Sequence, residues 1–161
     1  MIHFENVSKE YGGGEYAALR DVTFRIEPKE FVSIVGKSGA GKSTIIRLLI
    51  GEEKPSKGRV IFGEYEVGLL RPKELPELRR QVGVIFQDFR LLPTKNAYEN
   101  IAFALEVAGV PEKDIDDMVR EALDLVGLSD KAENFIHQLS GGEAQRVALA
   151  RAMVNHPKVI V

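Results

Sequence analysis

Eight residues, Gly36-Lys37-Ser38-Gly39-Ala40-Gly41-Lys42-Ser43, stand between a continuous apolar run, "FVSIV" (31–35), and a run with apolar residues at helical spacing, "GKSTIIRLLI" (41–50). The order strand, glycine-rich turn, helix leaves the turn one task that suits its composition. Small residues let the backbone wrap an anion with its N–H groups inward, and the N-terminus of the following helix adds positive potential. Gly, four residues, then Gly-Lys-Ser is the spacing of a phosphate-binding loop, and the strand-to-helix setting is the one it requires. Lys42 is placed to reach the β and γ phosphates of a nucleoside triphosphate, Ser43 to hold Mg²⁺ through its hydroxyl, and Thr44, next in the first helical turn, to join the nucleotide-binding set. An ordinary glycine-rich turn is the competing reading. With glycine at ~7% of residues, a chance match is expected in well under ~1% of chains of this length.

A phosphate loop alone does not choose among kinases, small GTPases, motors and transport ATPases. Composition removes some neighbouring classes. The chain has 161 residues, 44% hydrophobic and 29% charged, which suits one globular domain with a packed core. A net charge of −2 and a pI near 6.0 provide no global basic field for nucleic acid. Cysteine is absent, so disulfides and thiolate metal sites are excluded. His3, His137 and His156 lack metal-ligand spacing. The start "MIHFENVSKEY" lacks the basic and apolar regions of a signal peptide, and no apolar run approaches the ~20 residues of a membrane span. Membrane attachment is therefore expected through a partner.

Along the chain, alternating runs at 2–7 and 22–26 flank "YGGGEYAALRD", which predicts an antiparallel lobe with a glycine turn. "FVSIV" and "VGVIF" (82–86) have the continuous apolar character of strands buried on both faces. "GRVIFGEYEV" predicts a strand or hairpin, and "PKELPELRRQ" a short polar helix. "NAYENIAFALEVAG" and "EKDIDDMVREALDLVGL" predict two helices that close near glycines. A last helix runs from "LSGGEAQRV" to a stop at Pro157, and "KVIV" (158–161) begins a third buried strand. Arg79, Arg80 and the charges at 113–117 read as solvated faces.

Two further features bear on function. Ser140 stands three residues before Glu143 at the head of an apolar helix, a capping box enclosing Gly141 and Gly142. A well-made helix start explains this by itself, yet two glycines in a capped first turn also expose backbone N–H groups as a second anion site. Gln87 follows "VGVIF", where a strand end presents an amide to solvent or ligand. Taken with the phosphate loop, "LSGGEAQR" resembles the signature of ATP-binding cassette (ABC) ATPases, and "VGVIFQDFRLLP" resembles their Q-loop.

The resemblance covers essentially the whole chain. It implies a P-loop α/β fold with a RecA-like parallel-sheet core, an N-terminal antiparallel β lobe (1–30), a phosphate-loop core with an interposed β segment (31–87), a Q-loop and helical subdomain (88–140) and a signature helix (141–161) in one domain. It implies ATP and Mg²⁺ as cofactors, with Tyr11, 25 positions before Gly36 (36 minus 11), stacking on adenine. Gln87 then positions Mg²⁺ and water. Ser140, Gly141, Gly142 and Glu143 act in trans on the nucleotide of a second copy, so a homodimer is expected. A groove beginning with Asp88 and ending with Pro93 is expected to receive an integral membrane partner at the cytoplasmic face of the membrane.

Several pieces, "FQDFRLLP" above all, look most like the cell-division members of the family. Lipoprotein or macrolide exporters, a nucleotide-regulated binding module without turnover, and a P-loop kinase are the alternatives. The family's Mg²⁺ aspartate, water-polarising glutamate and switch histidine are expected beyond Val161, so residues 1–161 are read as truncated and without the catalytic carboxylate. Expressed alone, they are expected to fold poorly and to lack ATPase activity, because the strand between "FVSIV" and "KVIV" is missing from the parallel sheet.

Overall fold

The computed structural model describes residues 1–161, whose contacts divide into two compact units, 1–78 and 79–161. The first unit is built on strands β1 (Ile2–Tyr11) and β2 (Tyr16–Ile26), paired antiparallel with Ile2 opposite Ile26, Phe4 opposite Phe24 and Val7 opposite Val22. Ile2, Phe4 and Val7 are all buried although the first two and the last differ in parity. The register shift between Phe4 and Val7, where Asn6 has φ 49°, explains this, because an extra residue flips the face presented by the rest of the strand. Phe4 and Phe24 stack with ring centroids 4.6 Å apart. The connection is a 3₁₀ turn, Gly12–Gly14, followed by Glu15, so it is shorter than the sequence predicts; "YAALRD" continues β2 by pairing with β1.

The predicted hairpin at "GRVIFGEYEV" forms as β3 (Lys57–Phe62) and β4 (Tyr65–Glu66), and it joins the N-terminal strands in a single sheet of order β2-β1-β3-β4. Helix α1 (Lys42–Leu49) packs against β3 and buries Thr44, Leu48 and Leu49. The phosphate loop thereby leads into a helix whose far side is anchored in the core.

"FVSIV" departs from its prediction. Residues 31–35 enter no strand ladder, and Phe31 is 98% and Val35 86% exposed. A strand needs at least one hydrogen-bonding neighbour, and an apolar parallel strand needs cover on its faces as well; residues 31–35 pair with no strand here. An apolar run reports what the chain is suited to bury; pairing requires a partner strand.

Helix α2 (Leu75–Arg80) forms within the predicted polar segment. In the second unit, β5 (Val82–Gly83) pairs parallel with β6 (Val159–Ile160), and the ladder is extended by Ile85 N–H donating to the Val161 carbonyl at 2.8 Å. "VGVIF" is therefore a strand in its first two residues only, buried there and half-buried from Val84 to Phe86. Helices α3 (Ala97–Ala108), α4 (Glu112–Leu125) and α5 (Gly141–Met153) match the predicted segments. Ile101 and Leu105 of α3, Val119 and Leu123 of α4, and Val147 and Ala150 of α5, three or four apart within each helix, bury one apolar face of each in a shared core. Helix α5 ends at Met153, before the predicted stop at Pro157. No helix is long and apolar enough to cross a membrane.

Candidate nucleotide site

In the first unit the loop's shape follows from its glycines. Gly41 is the residue before α1 and has φ 87°; a Cβ there would lie 2.5 Å from the Ala18 carbonyl oxygen and 2.7 Å from a Leu19 methyl. Only glycine meets both demands, the left-handed backbone and the close approach to β2. Gly39 also has positive φ, 78°, but faces open space on its side-chain side. The Ala40 N–H donates to the Lys37 carbonyl at 3.1 Å and closes the turn.

Helix α1 starts with no side-chain cap and no acidic residue in its first turn. Its positive end is left for a ligand, since the first N–H groups of a helix have no intrahelical acceptor. The Lys42 ammonium curls back into the loop and donates to the Gly36 and Lys37 carbonyls at 2.8 and 2.9 Å. A cation held there by carbonyls alone, beside uncapped N–H groups, fits an incoming phosphate. Ser43 is exposed beside it, whereas Thr44 is 9% exposed, so its side chain belongs to the packing under the helix.

Tyr11 ends β1 opposite Tyr16, whose hydroxyl donates to the Gly39 carbonyl at 3.2 Å. That bond ties the hairpin end carrying Tyr11 to the phosphate loop. Lys9 Nζ lies 4.8 Å from the Tyr11 ring centroid, a cation–π arrangement, and the Tyr11 hydroxyl is buried without a hydrogen-bond partner. Tyr16 was not singled out by the sequence, where it reads as one more residue of a turn.

In the second unit, Ser140 is the N-cap of α5. Its hydroxyl accepts from the Glu143 N–H at 3.3 Å while its own N–H donates to the Glu143 carboxylate at 2.7 Å, so the predicted capping box is formed. Gly141 and Gly142 are exposed, with no atom closer than 4.0 Å to the place of an added Cβ. The Ser140 backbone N–H, then its hydroxyl, holds the Glu143 carboxyl below the usual glutamate range. A carboxyl depressed on folding contributes its stability above the unfolded pKa and loses it as pH falls through the folded one. Acidification below about pH 4.3, the ordinary glutamate value, is thus expected to fray the start of α5. Amide shifts of Gly141 to Glu143 followed against pH would show it; flat shifts down to pH 2 would contradict it.

Gln87 is exposed at the turn after β5. The loop beyond it is held in an unusual form, with Phe89 and Arg90 at φ 56° and 45°. The Arg90 guanidinium covers the Phe86 ring at 3.8 Å from the centroid. Arg151 of α5 donates to the Arg90 and Phe89 carbonyls, both at 2.7 Å, and burial draws its pKa down.

Asn100, fully buried on α3, accepts from the Leu92 N–H at 2.7 Å and donates to the carbonyls of Leu92, Lys95 and Asn96 at 3.1, 3.2 and 2.9 Å. Arg151 and Asn100 escaped the sequence reading. The signal was present: each falls at helical spacing from an apolar residue, Asn100 three after Ala97 and Arg151 four after Val147, where a polar residue must serve a partner. The structure thus gathers 36–43 with Tyr16 in the first unit, and Gln87 with Arg151 and Asn100 around residues 86–96 in the second.

These features agree with comparisons to known proteins. Residues 19–161 match the ABC transporter family. The chain is 51% identical over its full length to the cell division ATP-binding protein FtsE of Escherichia coli (strain K12), of which it spans 72%, and 48% identical to FtsE of Bacillus subtilis (strain 168), of which it spans 70%. It also resembles the dimeric structure of a post-hydrolysis state of the ATP-binding cassette MJ0796 bound to ADP and Pi. That likeness has a TM-score of 0.88 at 36% identity, over 99% of this chain and 72% of the other. With residues 19–161 matching the family model, about half of its residues identical to FtsE along its full length, and a mixed α/β fold like that of a solved cassette, the chain belongs to the ABC transporter family, as an FtsE-like ATP-binding subunit.

Proposed function

We propose that the two units act as one ATPase domain that binds MgATP, pairs with a second copy of itself, and drives an integral membrane partner resembling FtsX in cell division. The observation that carries the proposal is the Lys42 ammonium held between the Gly36 and Lys37 carbonyls beside the uncapped start of α1. Phosphate oxygens compete well for such a cation, because charge-assisted bonds are about twice as strong as neutral ones. Ser43, one residue on and exposed, supplies the hydroxyl for Mg²⁺, and Gln87 the amide for Mg²⁺ and water. Bound Mg²⁺ neutralises phosphate charge; the chain's own residues position the nucleotide. No water-activating carboxylate is assigned among residues 1–161.

The dimeric neighbour bound to ADP and Pi supports pairing with a second copy, and the open space at Gly141 and Gly142 suits the Ser140-Gly141-Gly142 turn to a second role, contact with the γ phosphate held by that copy. Residues 88–93 serve as the partner groove at the cytoplasmic face of the membrane, with Phe89 and Leu92 as apolar contacts. Attachment to the membrane is peripheral and runs through that partner.

Calorimetric titration with MgATP tests the reading directly; failure to bind would overturn it. Tyr11→Ala is expected to weaken ATP by ~1–3 kcal/mol through loss of base stacking. Tripolyphosphate should bind the variant as it binds the wild type. An equal loss for both ligands would make Tyr11 a structural residue of the hairpin end.

A further inference from the structure

We propose that Arg151 is a positioning residue that clamps the loop after Gln87 to the signature helix, so that the two respond to nucleotide as one body. The proposal rests on the ATP-binding role set out above. Three observations carry it. Arg151 donates from two separate guanidinium nitrogens to two successive carbonyls, those of Phe89 and Arg90, at 2.7 Å each. Those same two residues hold left-handed backbone, φ 56° and 45°, which neither an aromatic nor an arginine adopts without support. Both amides are also engaged locally, Phe89 N–H to the Phe86 carbonyl at 3.0 Å and Arg90 N–H to the Asp88 carbonyl at 2.6 Å, so residues 86–90 form a tight turn whose outward carbonyls depend on the clamp.

The clamp stands on α5, the helix whose N-terminus presents Ser140, Gly141 and Gly142. Eleven residues separate Ser140 from Arg151 (151 minus 140), about 16 Å at 1.5 Å per residue along a continuous helix. A helix transmits displacement along its axis because its hydrogen-bonded turns do not deform independently. A force on the exposed glycine turn therefore arrives at the Phe89 and Arg90 carbonyls through Arg151. On the far side of the loop, Asn100 fixes Leu92 to α3. Residues 86–91, Gln87 among them, are thus held between Arg151 on one side and Asn100 on the other. Lysine would not reproduce the arrangement, since a point-charge ammonium lacks the planar fork that meets two carbonyls at once.

Amide hydrogen exchange in the intact protein, with and without MgATP, tests this on wild type, Arg151→Lys and Arg151→Gln. The expected result is exchange at least about tenfold faster at Phe89 and Arg90 in Arg151→Gln, with Arg151→Lys between, because charge-assisted hydrogen bonds from a half-buried arginine are lost. Amides of Leu105, Val119 and Leu123 should change less than about twofold, and ATP affinity should stay within about twofold, since Arg151 is not among the residues proposed to hold the nucleotide. MgATP-dependent protection at 86–91 should be present in wild type and lost in both variants. Unchanged exchange at Phe89 and Arg90, full rescue by lysine, or uniform acceleration across α3 to α5 would each overturn the clamp. If wild type fails to bind ATP, the proposed function falls, while the nucleotide-free exchange at Phe89 and Arg90 still decides the clamp.

Discussion

Lys42→Ala is expected to reduce MgATP binding by at least about a hundredfold while leaving the fold in place. The ammonium contributes charge-assisted hydrogen bonds to phosphate at about 1.5–3 kcal/mol each, and each 1.4 kcal/mol is tenfold in affinity. Without ligand, the same group bonds to the Gly36 and Lys37 carbonyls. Its removal thus also releases the loop, so the variant must order the loop as well as do without the cation. Lys42 is the first residue of α1 and only partly buried, and alanine suits a helix start, so the core of Leu48 and Leu49 is untouched. Stability should change by no more than about 1 kcal/mol. Calorimetry with ATP and a thermal melt, run on both proteins, separate these effects. Unchanged affinity would remove the phosphate loop from the site, and a collapsed melt would show Lys42 to be a structural post.

Ser140→Arg is expected to abolish ATP-dependent dimerisation and turnover of the intact protein while each monomer still binds ATP. Two losses combine at this position and can be told apart. The hydroxyl that accepts from the Glu143 N–H disappears, which costs about 1 kcal/mol and lowers Tm by about 2–4 °C in a domain of this size. The larger effect is steric, because Gly141 and Gly142 leave open space at the helix start that a long side chain next to them would fill. A phosphate held by the other copy could then no longer approach the backbone N–H groups. Ser140→Asn keeps a cap acceptor and should recover the melting temperature, which isolates the stability component. Light scattering with a hydrolysis-resistant ATP analogue reads the association. An arginine variant that dimerises like wild type would show that the signature turn does not act across two copies.

Local chemistry was legible in the sequence wherever one stretch contains its own explanation. The phosphate loop was readable because glycine at 41 and lysine at 42 have consequences for any backbone that enters a helix there, and the structure shows the left-handed Gly41 and the inward Lys42. The Ser140–Glu143 box was readable for the same reason, as both its hydrogen bonds span three residues. Helices α3 to α5 followed from apolar periodicity, which reports a buried face without knowing what covers it.

Contacts between distant residues were decided by tertiary structure alone. Whether 31–35 pairs depends on strands elsewhere in a sheet, so an apolar run that suited a buried strand is instead exposed at Phe31 and Val35. The joining of β3 and β4 to the N-terminal hairpin is a pairing of residues some 55 positions apart, such as Phe4 with Val60 (60 minus 4 is 56), and no local pattern specifies it. Arg151 reaches carbonyls 61 and 62 positions away, and those of Phe89 and Arg90 are ordinary acceptors until the backbone turns left-handed and presents them. The sequence determined the glycine turn before α1, the lysine that bonds back into it and the caps of the helices, because short-range sterics and hydrogen bonding suffice for each. Tertiary structure decided which loop each helix holds, because that depends on where packing brings the two together.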